Sequence, residues 1–156
     1  PNKDAVHWFA NDILPMLRKF GCNEEVSVVG PYEELLPNYE GITKTGYVED
    51  LDTLLQKAKV GIAPLRYGAG MKGKIGSYMC NGLPTVTTPI GAEGMFLEHA
   101  ETAMIQKDPA LFADAITLLC DGEGLWQHIS DASAKKVTEW SPAAVKKVLK
   151  AAVLFE

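Results

Sequence analysis

The run Val60-Gly61-Ile62-Ala63-Pro64-Leu65-Arg66-Tyr67-Gly68-Ala69-Gly70-Met71-Lys72-Gly73-Lys74-Ile75 decides the fold. Its first six residues form an apolar stretch of strand length, and Ile75 falls in a helical pattern over about 74–81. Between them lies a glycine-rich loop over 68–73. A short strand apolar on both faces, followed at once by a loop and a helix, is the unit of a parallel sheet covered by helices on each side.

The same alternation extends outward in both directions. Upstream, Val26-Ser27-Val28-Val29 is a β-branched run stopped by Gly30-Pro31, and Ile42-Thr43-Lys44-Thr45 is a weaker one closed by Gly46. The interval 50–57 predicts a helix with Leu51, Leu54 and Leu55 inward. Before these, Val6, Phe9, Ile13 and Leu17 recur at helical spacing, with Asn2 or Asp4 placed to cap the helix and Pro15 expected to bend or end it. Downstream, Thr85-Val86-Thr87-Thr88 reads as a strand, Gly91-Ala92-Glu93-Gly94 as a second glycine-containing loop, and 103–105 as a further short strand. Helices follow, lined by Leu111, Ala115, Leu118 and Leu119, then by Leu125, Ile129 and Ala132, and last by Val145, Leu149, Ala152 and Val153. The expected fold is α/β: one domain over 1–156, a Rossmann-like open parallel sheet with helices on both faces and a helical C-terminal tail.

Composition bounds the function. At 156 residues, 47% hydrophobic and 22% charged, the chain can bury a core without disulfides or a structural metal. A formal charge of -5 and a pI near 5.2 argue against coating a phosphate backbone, which needs Lys and Arg to replace condensed counterions, so no nucleic-acid partner is expected. Cys22, Cys80 and Cys120 are odd in number and far apart, which indicates neither a disulfide framework nor a zinc site and fits free thiols in a reducing cytoplasm. No apolar run approaches the roughly 20 residues of a membrane span. The abrupt start Pro1-Asn2-Lys3-Asp4, directly before a helical pattern, reads as a chain whose upstream strand lies elsewhere.

The loop itself fits several patterns. Gly68, Gly70 and Gly73 satisfy G-x-G-x-x-G, with Glu93 near the distance of an acidic ribose ligand, but that fingerprint belongs to the first strand-helix turn of a sheet. Gly68 through Lys74 satisfy G-x-x-x-x-G-K, but Ile75 stands where a hydroxyl should hold magnesium. Common to these readings is an anion cradle: backbone N–H groups bared by glycine, the positive end of a helix, and the charges of Lys72 and Lys74. A diphosphate is the natural guest. The competing reading is a glycine turn with two solvated lysines.

Taken with Gly82-Leu83-Pro84-Thr85-Val86-Thr87-Thr88-Pro89-Ile90-Gly91-Ala92-Glu93-Gly94-Met95, the segment from Ala63 to Ile75 strongly resembles the C-terminal domain of group-one (family four) glycosyltransferases of the GT-B fold. The opening Pro1-Asn2-Lys3-Asp4-Ala5, the strand end Val28-Val29-Gly30 and Gly46-Tyr47-Val48 fall in the family's order and spacing, so the resemblance spans nearly the whole chain. It implies a site for a nucleotide-diphospho sugar, facing a second Rossmann-like domain that brings the acceptor. Carried across by position, Gly70, Lys72, Gly73 and Lys74 would contact the diphosphate, and Gly30, Pro31, Tyr47 and Val48 would wall the base. Pro89, Ile90, Gly91, Ala92 and Glu93 would approach the phosphates or the sugar. The resemblance also implies retention of anomeric configuration, no metal or other cofactor, and catalytic contacts supplied by the other domain.

There is one departure. The family often carries two glutamates eight residues apart, the second bonding the donor ribose; here the positions are Ala69 and Ser77. A serine hydroxyl reaches less far and is uncharged, a loss of about 1–3 kcal/mol in donor grip.

The remaining polar and aromatic residues read as structural. His7, His99 and His128 have no partner at triad spacing, and Trp8, Trp126 and Trp140 sit among apolar helical positions that suit packing. Glu33, Glu34, Glu49, Asp50 and Asp52 suit solvated faces. Lys146, Lys147 and Lys150, beside the last apolar stripe, fit either a peripheral anionic membrane surface or packing against the other domain. The expected function is hexosyl transfer from a nucleotide-diphospho sugar such as a UDP-sugar, in polysaccharide biosynthesis, with the isolated domain inactive. The alternative is a degenerate nucleotide-sugar-binding or assembly module, and a dehydrogenase or phosphate-loop domain is the third reading.

Overall fold

A computed structural model describes residues 1–31, 35–141, 143, 144 and 146. The predicted acidic face at Glu33 and Glu34 and the terminal stripe of Val145, Leu149, Ala152 and Val153 with Lys147 and Lys150 lie outside the described residues.

The chain opens with α1 (Asn2–Trp8), which runs through a π-helical turn (Phe9–Ile13) into α2 (Leu14–Lys19). Pro15 therefore does not end the helix. Its ring lacks an N–H and crowds the carbonyl four residues back, and the widened turn directly before it, with the Leu14 amide on the Phe9 carbonyl, accommodates both. Neither Asn2 nor Asp4 caps this helix: Pro1 holds the cap position without a side-chain bond, and the two polar side chains reach elsewhere.

Strands β1 (Val26–Val29) and β2 (Ile42–Gly46) pair in parallel, with Val26 opposite Ile42. After α3 (Leu51–Lys57) comes β3 (Gly61–Ala63), the glycine loop, and α4 (Gly73–Cys80). Then follow β4 (Thr85–Thr87), the one-turn helix α5 (Pro89–Ala92), β5 (Met104–Ile105), α6 (Pro109–Asp121) and α7 (Glu123–Val137). The strand order β3-β4-β5 is parallel throughout. The hydrogen-bonded strands form two parallel sheets, β1-β2 and β3-β4-β5, where the sequence suggested one. Residues of β1 and β3 flank a cavity of about 600 Å³.

Strand alternation divides the core into two clusters. Val86 and Ile62 pack with Trp8 of α1, Phe9 and Ile13 of the π turn, Leu17 of α2 and Phe112 and Ile116 of α6, whereas Ala63 packs with Ile75, Met79 and Met95. Helices thus cover both faces. The buried stripe of α6 is Phe112, Ala115, Ile116 and Leu119; Leu111 and Leu118, predicted inward, are exposed. Two stripes of helical period, offset by one residue, overlap in this segment, and the one carrying Phe112 wins the interior. Likewise Leu55 is buried in α3 but Leu51, in the first turn after the Asp50 cap that accepts the Thr53 amide at 3.0 Å, is exposed.

Candidate functional site

The region of interest is built from what leaves the C-terminal ends of the strands. At the ends of β1 and β2, Gly30 takes a φ of +125° and donates its amide to the Gly46 carbonyl at 2.9 Å, tying the two strand ends together. Pro31 and Tyr47 are exposed, Tyr47 at 81%, and Val48 is half-buried. The loop after β3 carries left-handed glycines, Gly68 at φ +137° and Gly70 at +75°, a conformation costly for any residue with a Cβ.

That loop delivers two lysines with different fates. Lys72 is 7% exposed; its ammonium donates to the Gly70 carbonyl at 2.6 Å and its amide to Met95 Sδ at 3.2 Å. It fastens the loop to itself and to the segment after β4. Lys74 lines the cavity beside Asn2, Pro64 and Tyr78, and its ammonium donates to Asn2 Oδ1 at 2.8 Å. Burial holds its pKa below the 10.5 of a free lysine. The folded chain therefore holds that proton less tightly than the unfolded one, so charged Lys74 costs stability at low and neutral pH, and the cost fades as pH rises toward 10.5. An anion beside it would repay that desolvation. The other charged residues along the cavity are Glu24, Glu25, Lys57 and Lys59, of which Lys59 pairs with Glu24.

The first amides of α4, those of Gly73 and Lys74, have no acceptor within the helix and point from its positive end. Ser77 donates to the Gly73 carbonyl of its own helix at 3.2 Å. Tyr78, its phenol pushed up to about 12 by burial, lines the same cavity as Lys74.

The segment from Pro89 to Glu93, read as a loop, is the short helix α5 with Glu93 at its C-terminal end. Thr88 caps it, accepting the Gly91 amide at 3.0 Å while its hydroxyl donates to the Leu65 carbonyl in the neighbouring turn. Gly91 is buried and packed on Thr87, whereas Glu93 is exposed. Of the residues singled out from sequence, the cavity gathers Lys74; Gly30, Pro31, Tyr47, Val48 and Pro89 to Glu93 stand at strand ends outside its lining.

Sequence reasoning passed over Asn2 as a partner of Lys74 and Met95 as the acceptor of the Lys72 amide. Thr88 before Pro89 did carry a signal, since a Thr cap followed by Pro at the first helical position is a legible helix start. The histidines are structural as read: His7 meets the Tyr39 hydroxyl, His99 accepts the Ile105 amide at 3.0 Å, and His128 faces Glu101 at 3.0 Å. Trp8 packs edge-on to Phe112, and Trp126 donates to the Lys59 carbonyl at 2.7 Å. Among the described residues no cluster of three or more His, Cys, Asp or Glu could hold a metal, and no helix is long and apolar enough to cross a membrane.

Parallel strands with helices on both faces, and glycine turns leaving their C-terminal ends, define a Rossmann-like domain. Residues 1–121 match the family model for glycosyl transferases group 1, and the chain belongs to that family. It is 29% identical over 127 residues to an uncharacterized 44.6 kDa protein in the cps region of Klebsiella pneumoniae, a match covering 74% of this chain and 33% of that one. In fold it resembles a TarM mutant from S. aureus solved in complex with fondaparinux, alpha-GlcNAc-glycerol and UDP: TM-score 0.78, 17% identity, 96% of this chain and 33% of that one. It also resembles the C-terminal domain of a group 1 family glycosyl transferase, LpcC, from Francisella tularensis: TM-score 0.70, 14% identity, 88% of this chain and 80% of that one. The chain thus spans about a third of the length of the Klebsiella relative and of TarM.

Proposed function

We propose that this chain is the donor-binding part of a sugar-transferring enzyme, holding a nucleotide-diphospho sugar while a second domain of a longer protein brings the acceptor. The observation that carries the reading is Lys74: a half-buried ammonium, held by a neutral amide oxygen, beside the open amides of a helix start. Such an arrangement favours the charge that develops on a departing nucleoside diphosphate, and it needs no reorganisation as the glycosidic bond breaks. Lys72, Gly70 and Gly73 shape the turn, Ser77 lies one helical turn on for the ribose, and Gly30, Pro31, Tyr47 and Val48 stand where a base would rest. The 89–93 segment faces the sugar in this reading.

UDP is the favoured nucleotide, supported by its presence in the TarM complex. Retention of configuration and independence from metal and other cofactors rest on the family resemblance. A polysaccharide-building role draws support from the cps-region relative, and a cytoplasmic setting, with the terminal lysines against a membrane or the other domain, belongs to the same proposal.

Calorimetric titration of the chain with UDP, GDP and their sugars tests it. The expected dissociation constant for the preferred diphosphate is below about 1 mM, or roughly -4 kcal/mol. Lys74→Met should weaken it about ten- to a hundredfold, the worth of a charge-assisted bond. No heat at millimolar ligand overturns the reading. A second reading, a degenerate nucleotide-sugar module, is favoured by Ala69 and by the Ser77 hydroxyl engaging its own helix. Binding without turnover in the full-length protein, on any donor, would select it.

A further inference from the structure

The start of α1 sends two side chains onto the turn after β3, and they treat its cations differently. Asp4 takes Arg66 in a two-point ion pair, Nε to Oδ2 at 2.9 Å and Nη2 to Oδ1, while the guanidinium lies 5.8 Å from the Trp8 ring centre. That charge is offset, and the pair holds the Asp4 carboxyl below its usual range. Asn2 takes Lys74 through an amide oxygen, Oδ1 to Nζ at 2.8 Å. An amide orients an ammonium without cancelling it.

We propose that Asn2 is the positioning residue for Lys74, a neutral holder that fixes the ammonium for a nucleoside diphosphate while leaving its charge uncompensated; this rests on the donor-site reading above. Two residues apart on one helix, a carboxylate fastens the structural cation and an amide presents the binding one. The choice of amide over carboxylate follows from electrostatics. A carboxylate within hydrogen-bond reach of Lys74 would neutralise it and repel the phosphates, whereas a side chain with no acceptor would let the ammonium wander. Burial holds the Lys74 pKa down, and of the charged groups lining the same cavity Glu24 is paired with Lys59, with Glu25 and Lys57 also in the lining.

The experiment compares Asn2→Asp and Asn2→Ala with the parent chain, using UDP as the probe and the Lys74 side-chain carbon resonance, assigned with Lys74→Met, as a second readout. Asn2→Asp should weaken UDP binding at least tenfold and move the Lys74 pKa upward, and Asn2→Ala should weaken binding severalfold while the pKa stays below 10.5. Asp4→Asn, which breaks the structural pair, should lower thermal stability and leave the Lys74 pKa where it was. Parent-like UDP binding by both Asn2 variants overturns the proposal. If the parent itself fails to bind UDP, the donor reading falls, yet the Asn2→Asp resonance still reports on the contact: an unmoved Lys74 pKa shows that Asn2 does not hold it.

Discussion

The turn after β3 and the turn after β4 leave neighbouring strands, and both are punctuated by glycine, yet a Cβ added at Gly70 would meet nothing within 4 Å whereas one at Gly91 would lie 2.0 Å from Thr87 Oγ1 and 3.3 Å from the Ala63 carbonyl. In the first turn glycine is needed for a left-handed backbone, not for want of space. In the second it is needed because one short helix packs directly on the strand before it. The same residue type therefore marks a place left open and a place already filled by the protein. A glycine pattern alone cannot tell these apart; the contacts around it do.

The largest effect expected from this contrast is at the filled position. Gly91→Val should cost about 3 kcal/mol, because Thr87 is β-branched, buried and bonded to Ala63, and cannot step aside. Thermal denaturation should show a fall of roughly 6–12 °C. A midpoint within a degree or two of the parent would break the comparison. Next comes Gly70→Ala, which pays only for a left-handed backbone, about 1–2 kcal/mol in chemical denaturation. Its methyl group meets no protein atom, so weaker UDP binding by the folded variant would place the ligand over that turn, and unchanged binding would place it elsewhere. The smallest change is Ser77→Ala, within about 0.5 kcal/mol in stability since the hydroxyl only back-bonds its helix; a clear loss of UDP affinity there would sharpen the ribose assignment.

Much of this fold was legible in the sequence. The strand-loop-helix unit around Gly68 to Gly73 and the parallel alternation follow from local periodicity, and β1, β2 and β4 lie where β-branched runs stop at glycine or proline. The misreadings have a common cause, competition settled only by packing. Leu111 and Leu118 obey helical spacing as well as Phe112 and Leu119 do, and Leu51 looks as apolar as Leu55; the interior accepts one of each. Pro15 signals a break that a π turn absorbs.

Around the candidate site the sequence offers residue types but not their wiring. Lys72 and Lys74 are two residues apart and look equivalent, but one ammonium is turned onto its own loop while the other meets a side chain 72 positions away. No local pattern encodes that contact, nor the sulfur of Met95 receiving an amide 23 residues back.

Two cross-links join the neighbouring turns: the Thr88 hydroxyl onto Leu65, and the Lys72 amide onto Met95. Both are buried and anchored at the residues that start the two helices. The pair of turns is consequently braced as one unit, so a change in the backbone of either turn bears on the start of the other helix.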